Sequence, residues 1–71
     1  MKVRNQTKLV REGQYVAEVD VELIESDAGW SPYLSLEDAE KLDSVRESLR
    51  QGEIEKASQL AKVFRLMPVA V

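Results

Sequence analysis

Residues 14–25, QYVAEVDVELIE, alternate with period two. Tyr15, Ala17, Val19, Val21 and Leu23 fall on one face, and Glu18, Asp20 and Glu22 on the other. An alternation rich in β-branched residues reads as a strand with one buried side. The rest of the chain must supply a cover for that side. Residues 2–10 form a weaker strand, and Arg11-Glu12-Gly13 between the two reads as a hairpin turn. Gly13 is able to take the left-handed position of a three-residue loop.

That loop sets a register. Val10 pairs with Gln14, Leu9 faces Tyr15 and Val3 faces Val21 on the apolar side, while Arg4 meets Asp20 and Lys2 meets Glu22 on the other. The basic block (Lys2, Arg4, Lys8, Arg11) and the acidic block (Glu12, Glu18, Asp20, Glu22, Glu25, Asp27) then become cross-strand pairs. Each pair would contribute ~0.2–1 kcal/mol. A two-residue loop would place Lys8 and Arg4 on the apolar face, because a shift in register changes which side chains point inward. The three-residue loop is therefore expected.

Residues 26–35, SDAGWSPYLS, break the pattern and read as a loop. Trp30 and Tyr33 bracket Pro32. They serve either to close the end of a small core or to anchor a partner, since aromatics are enriched at interface hot spots. Ser35 then caps a helix, with Asp38 three residues on as a variant of the capping box. Leu36, Ala39, Leu42, Val45 and Leu49 make its apolar stripe, and Gly52 ends it. A second helix is expected from about residue 53 to 66, with Ile54, Ala57, Leu60, Ala61 and Phe64 inward and Pro68 as its stop. The apolar tail, residues 67–71, is left to add a short strand or to reach a partner. The expected architecture is one α+β domain over residues 1–71: an N-terminal antiparallel β-hairpin followed by an αα-hairpin, ββαα, with room for a short C-terminal strand.

Seventy-one residues make one small domain at most, and a domain this size buries only ~60% of the surface its unfolded chain exposes. There is no cysteine for a disulfide and no histidine for the usual zinc sites. The same lack removes the common Ser–His and Cys–His nucleophile pairs. Glycine-rich phosphate loops and metal-loop spacings are also missing. The chain therefore reads as a non-enzymatic binding module with no cofactor and no metal. A net charge of −3 disfavours unspecific nucleic-acid binding and suits a basic protein partner. No apolar run approaches a membrane span, and Met1 is not followed by a signal-peptide core, so a cytoplasmic location is expected.

The segment from Gly29 to Ala70 has a distinctive face: Gly29-Trp30-Ser31-Pro32-Tyr33-Leu34-Ser35, Asp38-Ala39, Leu42-Asp43, Arg46, Leu49, Gly52, Ala57, Leu60-Ala61, Leu66 and Pro68-Val69-Ala70. It resembles short prokaryotic antitoxin-like proteins of toxin–antitoxin loci. Residues 14–50 also look like the start of HicB-type antitoxins, where a strand hairpin, a loop and an amphipathic helix follow one another. The resemblance implies a protein that neutralises a small basic toxin by occlusion. The expected contact residues are the acidic set Glu18, Asp20, Glu22, Glu25 and Asp27, with Trp30, Tyr33, Val69 and Val71 as apolar anchors. Two further expectations compete with it. One is a stand-alone homodimeric structural or regulatory domain. The other is a DNA-binding regulator that reads through its basic first strand, which also carries Asn5, Gln6 and Thr7.

Overall fold

The computed structural model describes residues 2–25 and 31–70. In chain order the elements are β1 (Lys2–Glu12), β2 (Tyr15–Glu25), β3 (Tyr33–Leu34), α1 (Leu36–Arg50), α2 (Ile54–Leu60) and β4 (Lys62–Arg65). The fold is α+β, an antiparallel hairpin followed by two helices, as the pattern of the chain requires. β1 lies on one side of β2, and β3 and β4 share the other side, pairing with opposite ends of it. Both helices lie on a single face of this sheet. Val10, Ala17, Val19 and Val21 from the sheet meet Val45, Leu49 and Ala57 from the helices in a small, fully buried core.

The hairpin register differs from the expected one. Gly13 and Gln14 form a two-residue turn, Glu12 pairs with Tyr15, and the ladder continues through Val10↔Ala17, Lys8↔Val19 and Arg4↔Leu23. Gly13 has φ 60°, the positive value needed at the first central position of a tight hairpin turn. The objection to this register was that it turns Lys8 and Arg4 inward. It fails because the inward face is only partly covered. Each hairpin strand of 11 residues spans ~36 Å, whereas the 15 residues of α1 span ~22 Å. Lys2, Arg4 and Gln6 lie beyond the helices and stay exposed, and only Lys8 is partly shielded. In return Val10 enters the core. Glu12 meets two arginines of α1, Arg50 at 3.3 Å and Arg46 at 3.9 Å. The expected pairs Arg4–Asp20 and Lys2–Glu22 do not form, and Arg4 contacts Glu25 instead, at 3.4 Å.

α1 starts and ends where its capping chemistry places it. The Ser35 hydroxyl oxygen accepts from the Asp38 N–H at 3.1 Å. At the other end Gly52 has φ 78°, its N–H donates to the Leu49 carbonyl, and the Glu53 N–H donates to the Ser48 carbonyl. This pair of bonds is the Schellman arrangement, and it satisfies two carbonyls the helix leaves open. Val45 and Leu49 of the expected stripe are buried, but Leu36 is 75% exposed because the first turn overhangs the sheet edge.

The second helix is half as long as expected. α2 stops at Leu60, Ala61 is fully extended, and Lys62–Arg65 becomes β4 against Tyr15–Glu18. The apolar spacing from Ile54 to Phe64 suits a helix, but the open edge of β2 needs backbone partners, and that demand decides the outcome. Val63, opposite Ala17, packs against the core, and Phe64 turns to the opposite face. The short strand after the helices is thus residues 62–65 rather than the tail. Of the tail, Leu66 donates its N–H to the Gln14 carbonyl, and Val69 is 85% exposed. Tyr33 and Leu34, expected in a loop, form the short β3.

Candidate functional site: the uncovered face of the sheet

Helices cover one face of the sheet, and no described element packs over the other. Strand alternation places Val16, Glu18, Asp20, Glu22 and Ile24 of β2 on that uncovered face. Registered beside them are Val3, Asn5, Thr7, Leu9 and Arg11 of β1, Tyr33 of β3, and Lys62 and Phe64 of β4. An acidic stripe, Glu18-Asp20-Glu22, therefore runs along the middle strand. Its neighbours on β1 are uncharged: Leu9 opposite Glu18, Thr7 opposite Asp20, and Asn5 opposite Glu22. The Thr7 hydroxyl donates to the Asp20 carboxylate at 3.1 Å and holds it in place. Lys62 of β4 is in register with Glu18, Arg11 of β1 is diagonal to it, and Lys41 of α1 reaches the Asp20 backbone. The Lys62 ammonium sits 5.6 Å from the centre of the Phe64 ring.

The stripe is braced from behind. Between β4 and β3 the edge of β2 has no strand partner. There the Lys41 ammonium donates to the Asp20 carbonyl at 2.9 Å, and an Asp38 carboxylate oxygen accepts from the Glu22 N–H at 2.8 Å. Two side chains one turn apart on α1 thus take the place of a missing strand. In the same gap an open groove of about 610 Å³ has Thr7, Glu18, Asp20, Lys41 and Lys62 on its walls.

The stripe has an apolar patch at each end. Val16 and Phe64 lie side by side at the turn end, with Leu9 close by, and Val3, Ile24 and Tyr33 lie together at the other. Leu9 is 68% exposed and Tyr33 50%. Aromatic side chains are enriched at protein interfaces relative to the rest of the surface.

The structure brings together Glu18, Asp20, Glu22 and Tyr33 of the expected contact set. Glu25 falls on the opposite face, against Arg4. Asp27, Trp30 and Val71 lie outside the described residues. Val69 sits in the exposed tail. Phe64, Leu9 and Val3 belong to the face and were not expected there, while Val16 follows from the alternation of β2. Leu9 and Val3 were assigned to the core by the other register, and Phe64 by the longer helix. The basic residues of β1 divide between the faces, with Lys2, Arg4 and Lys8 on the helix side and Arg11 on the open side. Three of the four thus share one face, where Arg4 contacts Glu25.

Among the described residues no group of three or more carboxylates is placed to hold a metal ion, and no helix is long and apolar enough to cross a membrane. No protein-family model matches the chain, and comparison with curated proteins and with solved structures finds no match.

Proposed function

We propose that the chain is an antitoxin-like binding protein, which neutralises a small basic toxin by covering its RNA-facing surface. The observation that carries the reading is the acidic stripe. Glu18, Asp20 and Glu22 stand in a row on a face no described element covers, with no base opposite them on β1. Lys62 of β4 stands in cross-strand register with Glu18, so pairing across the sheet leaves Asp20 and Glu22 unaccounted for. Carboxylates left facing solvent attract a cationic surface and speed encounter with it. The apolar ends of the face, Val16 with Phe64 and Ile24 with Tyr33, then slow dissociation through burial. No covalent step is involved, and the complex forms in the cytoplasm, where an RNA-directed toxin would act.

The test is co-expression with the product of the neighbouring open reading frame, followed by purification through a tag on this chain and a growth assay. The reading expects a stable complex and relief of growth arrest. A neighbour that is harmless when expressed alone, or that does not co-purify, refutes it.

A further inference from the structure

β1 gives one edge to β2, and no described strand pairs with the other. The direction of its backbone groups follows from β2. The Asp20 carbonyl and the Glu22 N–H point away from β1, since Lys41 and Asp38 meet them on the far side. Thr7 and Asn5, their partners, therefore occupy the non-hydrogen-bonded positions of the ladder. By alternation Val3, Asn5, Thr7, Leu9 and Arg11 turn their N–H and C=O groups outward. Such an edge is a template for another strand. No proline interrupts Lys2–Glu12, the ladder runs without a bulge, and exposed Val3 and Leu9 flank the outward groups.

We propose that this edge pairs antiparallel with β1 of a second copy, about a two-fold axis at Thr7, so that two sheets join into one. The charges select the register. The outward groups belong to odd-numbered residues, so an axis near the strand centre must fall at Gln6, Thr7 or Lys8. At Lys8, the two Lys8 side chains oppose each other. At Gln6, each Arg4 opposes a Lys8. Like charges directly opposite are destabilising, which disfavours both. At Thr7 no like charges are opposed, Lys2 faces Glu12 of the second copy, and Leu9 lies diagonal to Val3 of the second copy. All five outward-facing residues find partners. This inference rests on the edge and not on the toxin reading, and the acidic stripes of both copies remain on one continuous face.

The first test is the mass of the full chain in solution. Twice the 8.1 kDa chain mass is expected at high micromolar concentration, falling towards one on dilution. The chain has no cysteine, so Thr7→Cys places one thiol at the axis. The two Cα atoms there would be ~5.5 Å apart, within disulfide range. Mild oxidation should cross-link Thr7→Cys at least about tenfold faster than Asn5→Cys or Val69→Cys, whose partners do not meet across the axis. Thr7→Pro removes an outward N–H and no β1–β2 bond, so it should leave a folded single chain. A single-chain mass up to millimolar concentration overturns the proposal, including the case in which another protein's strand takes this edge. So does a dimer in which Thr7→Cys cross-links no faster than Val69→Cys.

Discussion

The hairpin register decides which face every side chain of β1 occupies, and two neighbouring substitutions test it. Leu9 is 68% exposed on the open face opposite Glu18, and Val10 is 2% exposed in the core. Leu9→Lys removes little buried area and gains a cross-strand pair with Glu18, worth ~0.2–1 kcal/mol. Val10→Lys puts an ammonium among Ala17, Val45 and Leu49, at a cost above the ~2–5 kcal/mol of truncating a core leucine. A domain this small has ~3–5 kcal/mol in total, so Val10→Lys should be unfolded in water. With a urea slope of ~1 kcal/mol/M, Leu9→Lys should keep its midpoint or raise it by a few tenths molar. The assay is urea unfolding followed by circular dichroism. In the three-residue-loop register the roles exchange: Leu9 is inward and Val10 outward. A folded Val10→Lys beside an unfolded Leu9→Lys would refute the register and, with it, the lack of bases opposite the acidic row on β1.

Three further substitutions probe the frame. Asp38→Ala removes the acceptor for the Glu22 N–H and a charge from the first turn of α1, costing ~1–3 kcal/mol. Hydrogen exchange should show the Glu22 amide opening faster while the Val19 amide, which faces β1, changes no more than global stability requires. Gly52→Ala meets no atom within 4 Å, so its cost is the ~1–2 kcal/mol of a left-handed non-glycine residue, read as a lower urea midpoint. Leu49→Ala opens a cavity at the centre of the core, and its ~2–5 kcal/mol should abolish the cooperative thermal transition.

The elements were legible in the chain to the degree that their signals are local. Ser35 and Gly52 carry their own capping chemistry, and both ends of α1 were readable from them. The alternation of Tyr15–Glu25 likewise required a strand with one buried side. What was not legible depends on distant partners. The loop length at Gly13 turns on how much of the sheet α1 covers, and the overhang of the hairpin is a matter of relative lengths in space. β4 was hidden because Ile54–Phe64 fits a helical stripe, while the edge of β2 that captures Lys62–Arg65 is known only once the sheet exists. The acidic row was visible from the start, but its apparent explanation by Arg4 and Lys2 belonged to the other register. With that register gone, the row became the candidate site, Leu9 joined it beside Val16, and β4 brought in Phe64.

The account rests on Glu18 and Asp20 drawing in a basic partner, and association kinetics measure this most directly. The on-rate of the co-expressed toxin should be recorded by stopped flow at low and high salt, for the parent chain and for Glu18→Lys combined with Asp20→Lys. The parent rate should fall steeply with salt, and the double variant should associate at least about tenfold more slowly at low salt, with the two converging at high salt. An on-rate at low salt unchanged by reversing both charges would contradict the account.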